Sequence, residues 1–124
     1  MEFKASARFQ PLSPRKTRLV ADLVRGMPVN KALETLRLCR LRGSRHINRL
    51  IRSALASAAE QHDADPDNLY VSKIYVNGGP IRYGRLPRLR GTWTRIRMRS
   101  SHIHVVLAEM EGKETAEEKA AEKK

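Results

Sequence analysis

The sequence predicts an α+β domain: three helices and three strands joined by short turns, with two of the strands extended into a long protruding hairpin. Three observations carry this. Apolar and polar residues alternate at the N-terminus, three later segments repeat apolar residues at helical spacing, and two strand-forming segments flank a stretch with seven arginines and no lysine. A length of 124 residues suits a single domain with a modest core. Aromatic residues make up only 5%, so that core must be aliphatic.

Phe3, Ala5, Ala7 and Phe9 alternate with Glu2, Lys4, Ser6 and Arg8, the period of a half-buried strand. Ser13 and Pro14 follow as an N-cap and a first-turn proline. The helix they open is expected to run to about Arg25 and stop at Gly26, with Leu19, Val20, Leu23, Val24 and Met27 inward. Arg15, Lys16 and Arg18 crowd its first turn, where the helix end is already positive. Either they form a solvated face, or they meet a phosphate together with the first-turn N–H groups. Pro28 and Asn30 open a shorter helix to about Cys39, with Val29, Ala32, Leu33 and Leu36 inward. A third helix, about Ser44 to Gln61, carries Ile47, Leu50, Ile51, Ala54, Leu55 and Ala58 on one face and turns Arg45, Arg49 and Arg52 outward. Its alanines predict close packing.

The turn at residues 62–68 holds three acids but lacks the central glycine and terminal glutamate of a calcium loop. Leu69 to Asn77 is rich in β-branched and aromatic residues and predicts a strand. Gly78-Gly79-Pro80 marks a bulge or a departure from the sheet. The returning strand is expected from about Thr92 to Met110, too long to pair only within a compact sheet. A hairpin with its tip near Gly84 to Gly91 would project about 30 Å, at ~3.3 Å per residue. A lone two-stranded ribbon is marginal in water, and its arginines repel one another, so such an arm makes physical sense when a polyanion surrounds it. Arg95, Arg97 and Arg99 share one strand face, and the same parity continues as Ile103, Val105 and Leu107. Residues 108–124 are low in complexity and highly charged, which predicts a disordered or transiently helical tail.

Charge sets the partner's sign. The net charge is +12, and it is uneven: residues 1–107 hold 21 Lys/Arg against 7 Asp/Glu, whereas residues 108–124 hold 4 against 6. An anionic partner follows, nucleic acid before an anionic membrane. The single cysteine, Cys39, excludes an intramolecular disulfide and a Cys-based zinc site, fits a reducing compartment, and is expected as a small buried hydrophobe. No apolar run is long enough to span a bilayer and the N-terminus lacks a signal-peptide core, so a soluble protein working where it is made is expected.

Enzymatic constellations are missing. His102 and His104 share a strand face without a nearby carboxylate, and the acids sit mainly in the turn and the tail. Neither a nucleophile elbow nor a phosphate-binding glycine loop is present. The expectation is a binding protein without catalytic residues, metal or cofactor. Arginine gives planar, bidentate contacts to phosphate and stacks on bases. Interleaved aromatics can stack on single-stranded bases, which favours RNA. A β-ribbon DNA-binding regulator and a metal-dependent nuclease using His102 and His104 are the alternatives.

The segments S-P-R-K-T-R, G-M-P-V-N-K-A-L-E-T-L, an Ala-rich helix, L-Y-V-S-K-I-Y-V-N-G-G-P and R-I-R-M-R-S-S-H-I-H-V-V-L follow one another in that order. Over roughly residues 1–107 this resembles the large-subunit ribosomal protein L twenty-two family. The resemblance implies three helices packed on a small three-stranded antiparallel sheet, with two strands extended as a hairpin over about residues 77–99. It implies a structural constituent of the large subunit of cytoplasmic ribosomes, monomeric there and away from membranes. Its partners would be large-subunit ribosomal RNA, neighbouring ribosomal proteins and the nascent polypeptide, with an early role in subunit assembly. Carried over by position, Ser13, Arg15, Lys16 and Arg18 would contact RNA from the globular domain. Arg82, Arg85, Arg88, Arg90, Arg95, Arg97, Arg99 and His102 would do so along the arm. Tyr83, Gly84, Arg85, Leu86, Pro87, Arg88, Leu89, Arg90 and Gly91 would form the tip that lines the peptide exit tunnel. Met98 stands where the family usually has a further basic residue, and the tip follows the family pattern only loosely.

Overall fold

A computed structural model describes residues 1–110 of the chain. Strand β1 (Glu2–Gln10) is followed by helices α1 (Pro14–Val24), α2 (Val29–Leu38) and α3 (Gly43–His62). After a 3-10 turn come β2 (Leu69–Gly78), β3 (Arg82–Pro87), β4 (Trp93–Met98) and β5 (Ser101–Glu109). Two sheets result: an antiparallel sheet of order β1-β5-β2, and a separate ribbon of β3 and β4.

The core lies between the three-stranded sheet and the helices. Ile103, Val105 and Leu107 of the central strand β5 meet Val71, Ile74 and Val76 of β2 and the stripe Ile47, Ile51, Ala54, Ala58 of α3. A register shift between Val71 and Lys73 changes the inward parity of β2, which is how Val71 and Ile74 both reach the core. Strand β2 is also an edge, and α1 covers it. The N–H of Gly26, a left-handed residue (φ 78°) that ends the helix, donates to the Val71 carbonyl at 2.9 Å. Farther along, Arg25 Nη2 donates to the Ile74 carbonyl (3.0 Å) and Arg18 Nε to that of Val76 (3.1 Å). Guanidiniums thus satisfy acceptors that an exposed edge would offer to another chain.

Several expectations need correction. Leu19 and Leu23 point outward, Leu19 being 59% exposed; the buried stripe of α1 is Thr17, Val20, Ala21 and Val24. Packing explains the rotation. A Cβ added at Gly43, at the start of α3, would lie at contact distance, 3.6 Å, from the backbone of Thr17 and from the Val20 side chain, so it is the Thr17–Val20 face of α1 that packs on α3. Phe9 also faces outward. It sits in a register shift of β1 with φ 55°, its N–H donates to His102 Nδ1 (3.0 Å), and its ring meets the His102 ring edge-on. Ser13 occupies the N-cap position, but its hydroxyl makes no cap bond; its carbonyl instead accepts from the Thr17 hydroxyl at 2.9 Å. Cys39 is half-buried, not enclosed.

The returning strand is likewise two strands, not one. Pro80 has no N–H to continue the ladder. The chain crosses the gap through a neck instead: Gly79 N–H donates to the Ser100 carbonyl (2.9 Å), and the Ser100 hydroxyl donates to the Pro80 carbonyl (2.6 Å). The common parity of Arg95 to Leu107 therefore does not describe one continuous ladder. At its far end β5 continues through Ala108 and Glu109, and Met110 N–H donates to the Asn68 carbonyl. The tail expectation for residues 111–124 lies outside the described residues.

Candidate nucleic-acid interface

The ribbon has no core of its own. β3 and β4 pair over six positions, Arg82 with Met98 through Pro87 with Trp93, and every residue of β4 is exposed. Six residues at ~3.3 Å each make a ladder about 20 Å long. Partners in register share a face, so the pairing sorts the side chains into two surfaces. Tyr83, Arg85, Arg95, Arg97, Pro87 and Trp93 lie on one; Arg82, Gly84, Leu86, Thr94, Ile96 and Met98 lie on the other.

The first face is cationic and aromatic. Arg85 stands directly across from Arg95, a like-charge pair that opposes pairing. Each guanidinium lies instead against a ring: Arg85 Cζ is 4.7 Å from the Trp93 ring centre, and Arg95 Cζ is 4.9 Å from that of Tyr83. Such contacts contribute ~0.5–1 kcal/mol each at exposed sites. They hold the guanidinium planes while leaving the N–H edges free for phosphate oxygens.

The second face is mainly apolar, with Arg82 the one cation among its six residues. Gly84 makes room for Met98, whose Cε would lie 3.1 Å from a Cβ at that position. Met98, the departure from the basic pattern, is thus on the opposite face from Arg95 and Arg97, opposite Arg82.

Of the predicted tip residues, Tyr83, Gly84, Arg85, Leu86 and Pro87 lie within β3, and the turn itself comprises Arg88, Leu89, Arg90 and Gly91. Arg88 N–H donates to the Thr92 carbonyl (2.7 Å), the Thr92 hydroxyl donates to the Leu89 carbonyl (2.7 Å), and Arg88 Nε reaches the Thr94 hydroxyl (3.1 Å). Arg90 and Gly91 both take left-handed conformations (φ 59° and 70°), which leaves Leu89 89% exposed at the apex. Arg99 falls in the neck, beyond the end of β4.

On the globular domain the predicted residues divide. Arg15 and Lys16 are exposed; Arg18 is engaged with the β2 edge. Lys16 and Ser13 line a cavity of about 270 Å³ with Arg42 and Gly43, which joins the start of α1 to the start of α3. Beside Arg42, Arg45 and Arg49, His46 bonds Gln10 Oε1 through Nδ1 (2.9 Å), and burial, then the Arg49 and Arg42 guanidiniums, hold its pKa below the ordinary 6.5. Sequence reasoning set Arg45 and Arg49 outward without giving them a function; the absence of any acid between Glu34 and Glu60 is the signal that marks them.

His102 is half-buried, and its Nδ1 accepts the Phe9 N–H, which requires the proton on Nε2. His104 stacks on Tyr75, with ring centres 4.9 Å apart. Neither ring converges with carboxylates; among the described residues no group of three or more His, Cys, Asp and Glu side chains is placed to hold a metal ion. No helix of the described residues is long and apolar enough to cross a membrane.

A helix-backed sheet carrying an arginine ribbon defines a basic α+β domain of the polyanion-binding class. Residues 5–108 match the family model described as ribosomal protein L22p/L17e. Curated relatives called large ribosomal subunit protein uL22 agree with it. The chain is 48% identical to that of Geotalea uraniireducens over 109 residues, covering 88% of this chain and 98% of the relative. It is 45% identical to that of Thermus thermophilus over 113 residues (91% and 100%), and 45% identical to that of Caldicellulosiruptor saccharolyticus over 107 residues (86% and 88%). The chain belongs to the L22p/L17e family of ribosomal proteins. Members of that family are structural constituents, and the protein is not an enzyme.

Proposed function

We propose that this protein is a structural, monomeric component of the large subunit of cytoplasmic ribosomes, where the β3–β4 ribbon is embedded in ribosomal RNA and supports subunit assembly. The observation that carries the reading is the ribbon's cationic face, on which Arg85, Arg95 and Arg97 stand beside Tyr83 and Trp93 with no acid on either strand. Phosphates neutralise the repulsion between Arg85 and Arg95, and the rings offer stacking surfaces to unpaired bases. Arg82, Arg88, Arg90 and Arg99 extend the contact along the arm. Ser13, Arg15 and Lys16 meet RNA from the globular domain, where Arg18 serves mainly to hold β2. The outer ring edge of His102 adds a donor near the root of the arm.

In the same reading the turn, Arg88 to Gly91, with its flanking residues Tyr83 to Pro87, lies at the wall of the nascent-peptide exit tunnel, and Leu89 faces the passing polypeptide. Neighbouring ribosomal proteins complete the surroundings. The test is co-sedimentation with large ribosomal subunits at high salt, followed by photocrosslinking from position 89 in translating ribosomes. Retention with the subunit and a crosslink to nascent chains are expected. Loss from the subunit at moderate salt would contradict the structural role, and crosslinks to RNA alone would contradict the tunnel position.

A further inference from the structure

The chain has four asparagines, and only Asn77 is followed by glycine. The pair Asn77-Gly78 closes β2 just before the neck of the arm, and both residues are exposed. We propose that Asn77 is a site of spontaneous covalent modification: its side chain cyclises onto the Gly78 nitrogen, and water opens the ring to aspartate and isoaspartate. The proposal goes beyond the ribosomal reading and does not depend on it.

The chemistry is redox-neutral and needs only water. The Gly78 main-chain nitrogen gives its proton to solvent base and attacks the side-chain carbonyl carbon of Asn77. A C–N bond forms there, the bond to the side-chain nitrogen breaks, and that nitrogen leaves as ammonia. Water then adds to one of the two carbonyls of the resulting succinimide. Cleavage on the side-chain side leaves aspartate. Cleavage on the main-chain side leaves isoaspartate, with the backbone now running through the former side chain.

Three features of the fold favour the attack. First, the attacking N–H is free of the ladder. Asn77 and Gly78 oppose His102 and Ser101, and in the same register Gly79 N–H donates to the Ser100 carbonyl. Residues of an antiparallel strand alternate between bonding across and facing out, so Gly78, one step from Gly79, turns its N–H away from β5. Second, the Asn77 carboxamide has no hydrogen-bond partner among the described residues, and glycine has no Cβ to shield the nitrogen. Third, the Gly78 N–H shares its edge with the Val76 carbonyl, which Arg18 Nε holds at 3.1 Å. A guanidinium on that edge stabilises the amide anion that attacks.

What opposes the reaction is the extended strand, which holds the carboxamide carbon away from the Gly78 nitrogen. That restraint is weakest here. α1 clamps the edge only as far as Val76, Pro80 ends the ladder, and strand ends open at far lower cost than the whole fold. Isoaspartate lengthens the main chain by one atom between Val76 and Gly78, which puts Gly78 and the Gly79–Ser100 bond out of step with β5.

The test incubates the folded full chain in mildly alkaline buffer. Peptide mass spectrometry follows it, together with methyl transfer from S-adenosylmethionine by an isoaspartyl methyltransferase. A mass gain with methyl labelling is expected at position 77, several-fold faster than at Asn30, Asn48 or Asn68 and faster still as pH rises. Gly78→Ala should slow it several-fold and fold normally, because an added Cβ meets only Pro14 Cγ, at 3.9 Å, and φ there is not positive. Reaction at Asn77 no faster than at the other three, reaction only in denaturant, or equal rates in wild type and Gly78→Ala would each overturn the proposal. Amide spectra test the consequence: the isoaspartyl form should displace signals of the neck and of β3 and β4 that Asn77→Asp leaves in place, and identical spectra would refute the slip in register.

Discussion

The two sheets of this molecule are built from similar strands and solve opposite problems. In β1-β5-β2 the central strand buries Ile103, Val105 and Leu107 against α3, and the outer edge of β2 is closed by α1 and its arginines. In β3-β4 no residue is fully buried, and Arg85 faces Arg95 across the ladder. The first sheet is stable because it excludes water. The second keeps its order locally through rings laid against guanidiniums and through the neck at Gly79 and Ser100. The lesson is that stability and binding have been placed in different strands, so a change in one should leave the other largely intact.

The sharpest way to break that division is a core truncation. Ile51→Ala removes a fully buried side chain from α3 and is expected to destabilise the fold by ~2–5 kcal/mol in urea or thermal unfolding. Alanine at Arg97 should move the same curve by less than ~0.5 kcal/mol, and alanine at Arg85, which loses its contact with Trp93, by at most ~1 kcal/mol.

A smaller effect is expected at the joint between the sheets. A Cβ at Gly79 would lie 2.5 Å from the Ser100 hydroxyl and 3.3 Å from the Ser100 backbone, so Gly79→Ala must turn that hydroxyl from the Pro80 carbonyl and shift the neck slightly. A cost of ~1–3 kcal/mol from overpacking should fall on the ribbon. Amide shifts in β3 and β4, with those of β5 centre unchanged, would show it; a global loss of stability would mean that the joint belongs to the core.

Acidity should produce the smallest effect. His46 has a folded pKa below 6.5, so as pH falls the unfolded chain takes up this proton first. Its contribution to stability is present above pH 6.5 and is lost as pH falls through the folded value. His46→Gln should flatten that part of the pH–stability curve, and an unchanged curve would mean that neither its burial nor the arginines beside it impose a net cost.

Much of this was legible in the residues, and the failures have physical causes. The stripe of α3 stood out because Ile47, Leu50, Ile51, Ala54 and Ala58 follow helical spacing with polar residues elsewhere. The stripe of α1 was misassigned because hydropathy favours Leu19 and Leu23, whereas α3 packs at Gly43 against Thr17 and Val20. That approach is set by another helix, and no local pattern carries it. Phe9 followed the alternation until a positive φ turned it out.

In the arm, charge and length announced a polyanion-binding hairpin, but the split into a cationic and an apolar face needed the register of β3 against β4. Glycine alone suggested a tip from Gly84; the structure shows Gly84 inside the strand, where it accommodates Met98. The engagement of Arg18 with an edge carbonyl was invisible, because a cation at a helix start looks the same whether it awaits a phosphate or a backbone oxygen.

The division between a self-sufficient sheet and a partner-dependent ribbon is tested most directly by amide hydrogen exchange, on the free protein and on its complex with large-subunit ribosomal RNA. In the free protein, β5 and β2 amides should exchange only through global unfolding, and those of β3 and β4 far faster; on binding, the ribbon amides should become strongly protected. Ribbon amides protected as well as β5 in the free protein, or left unprotected in the complex, would contradict the account.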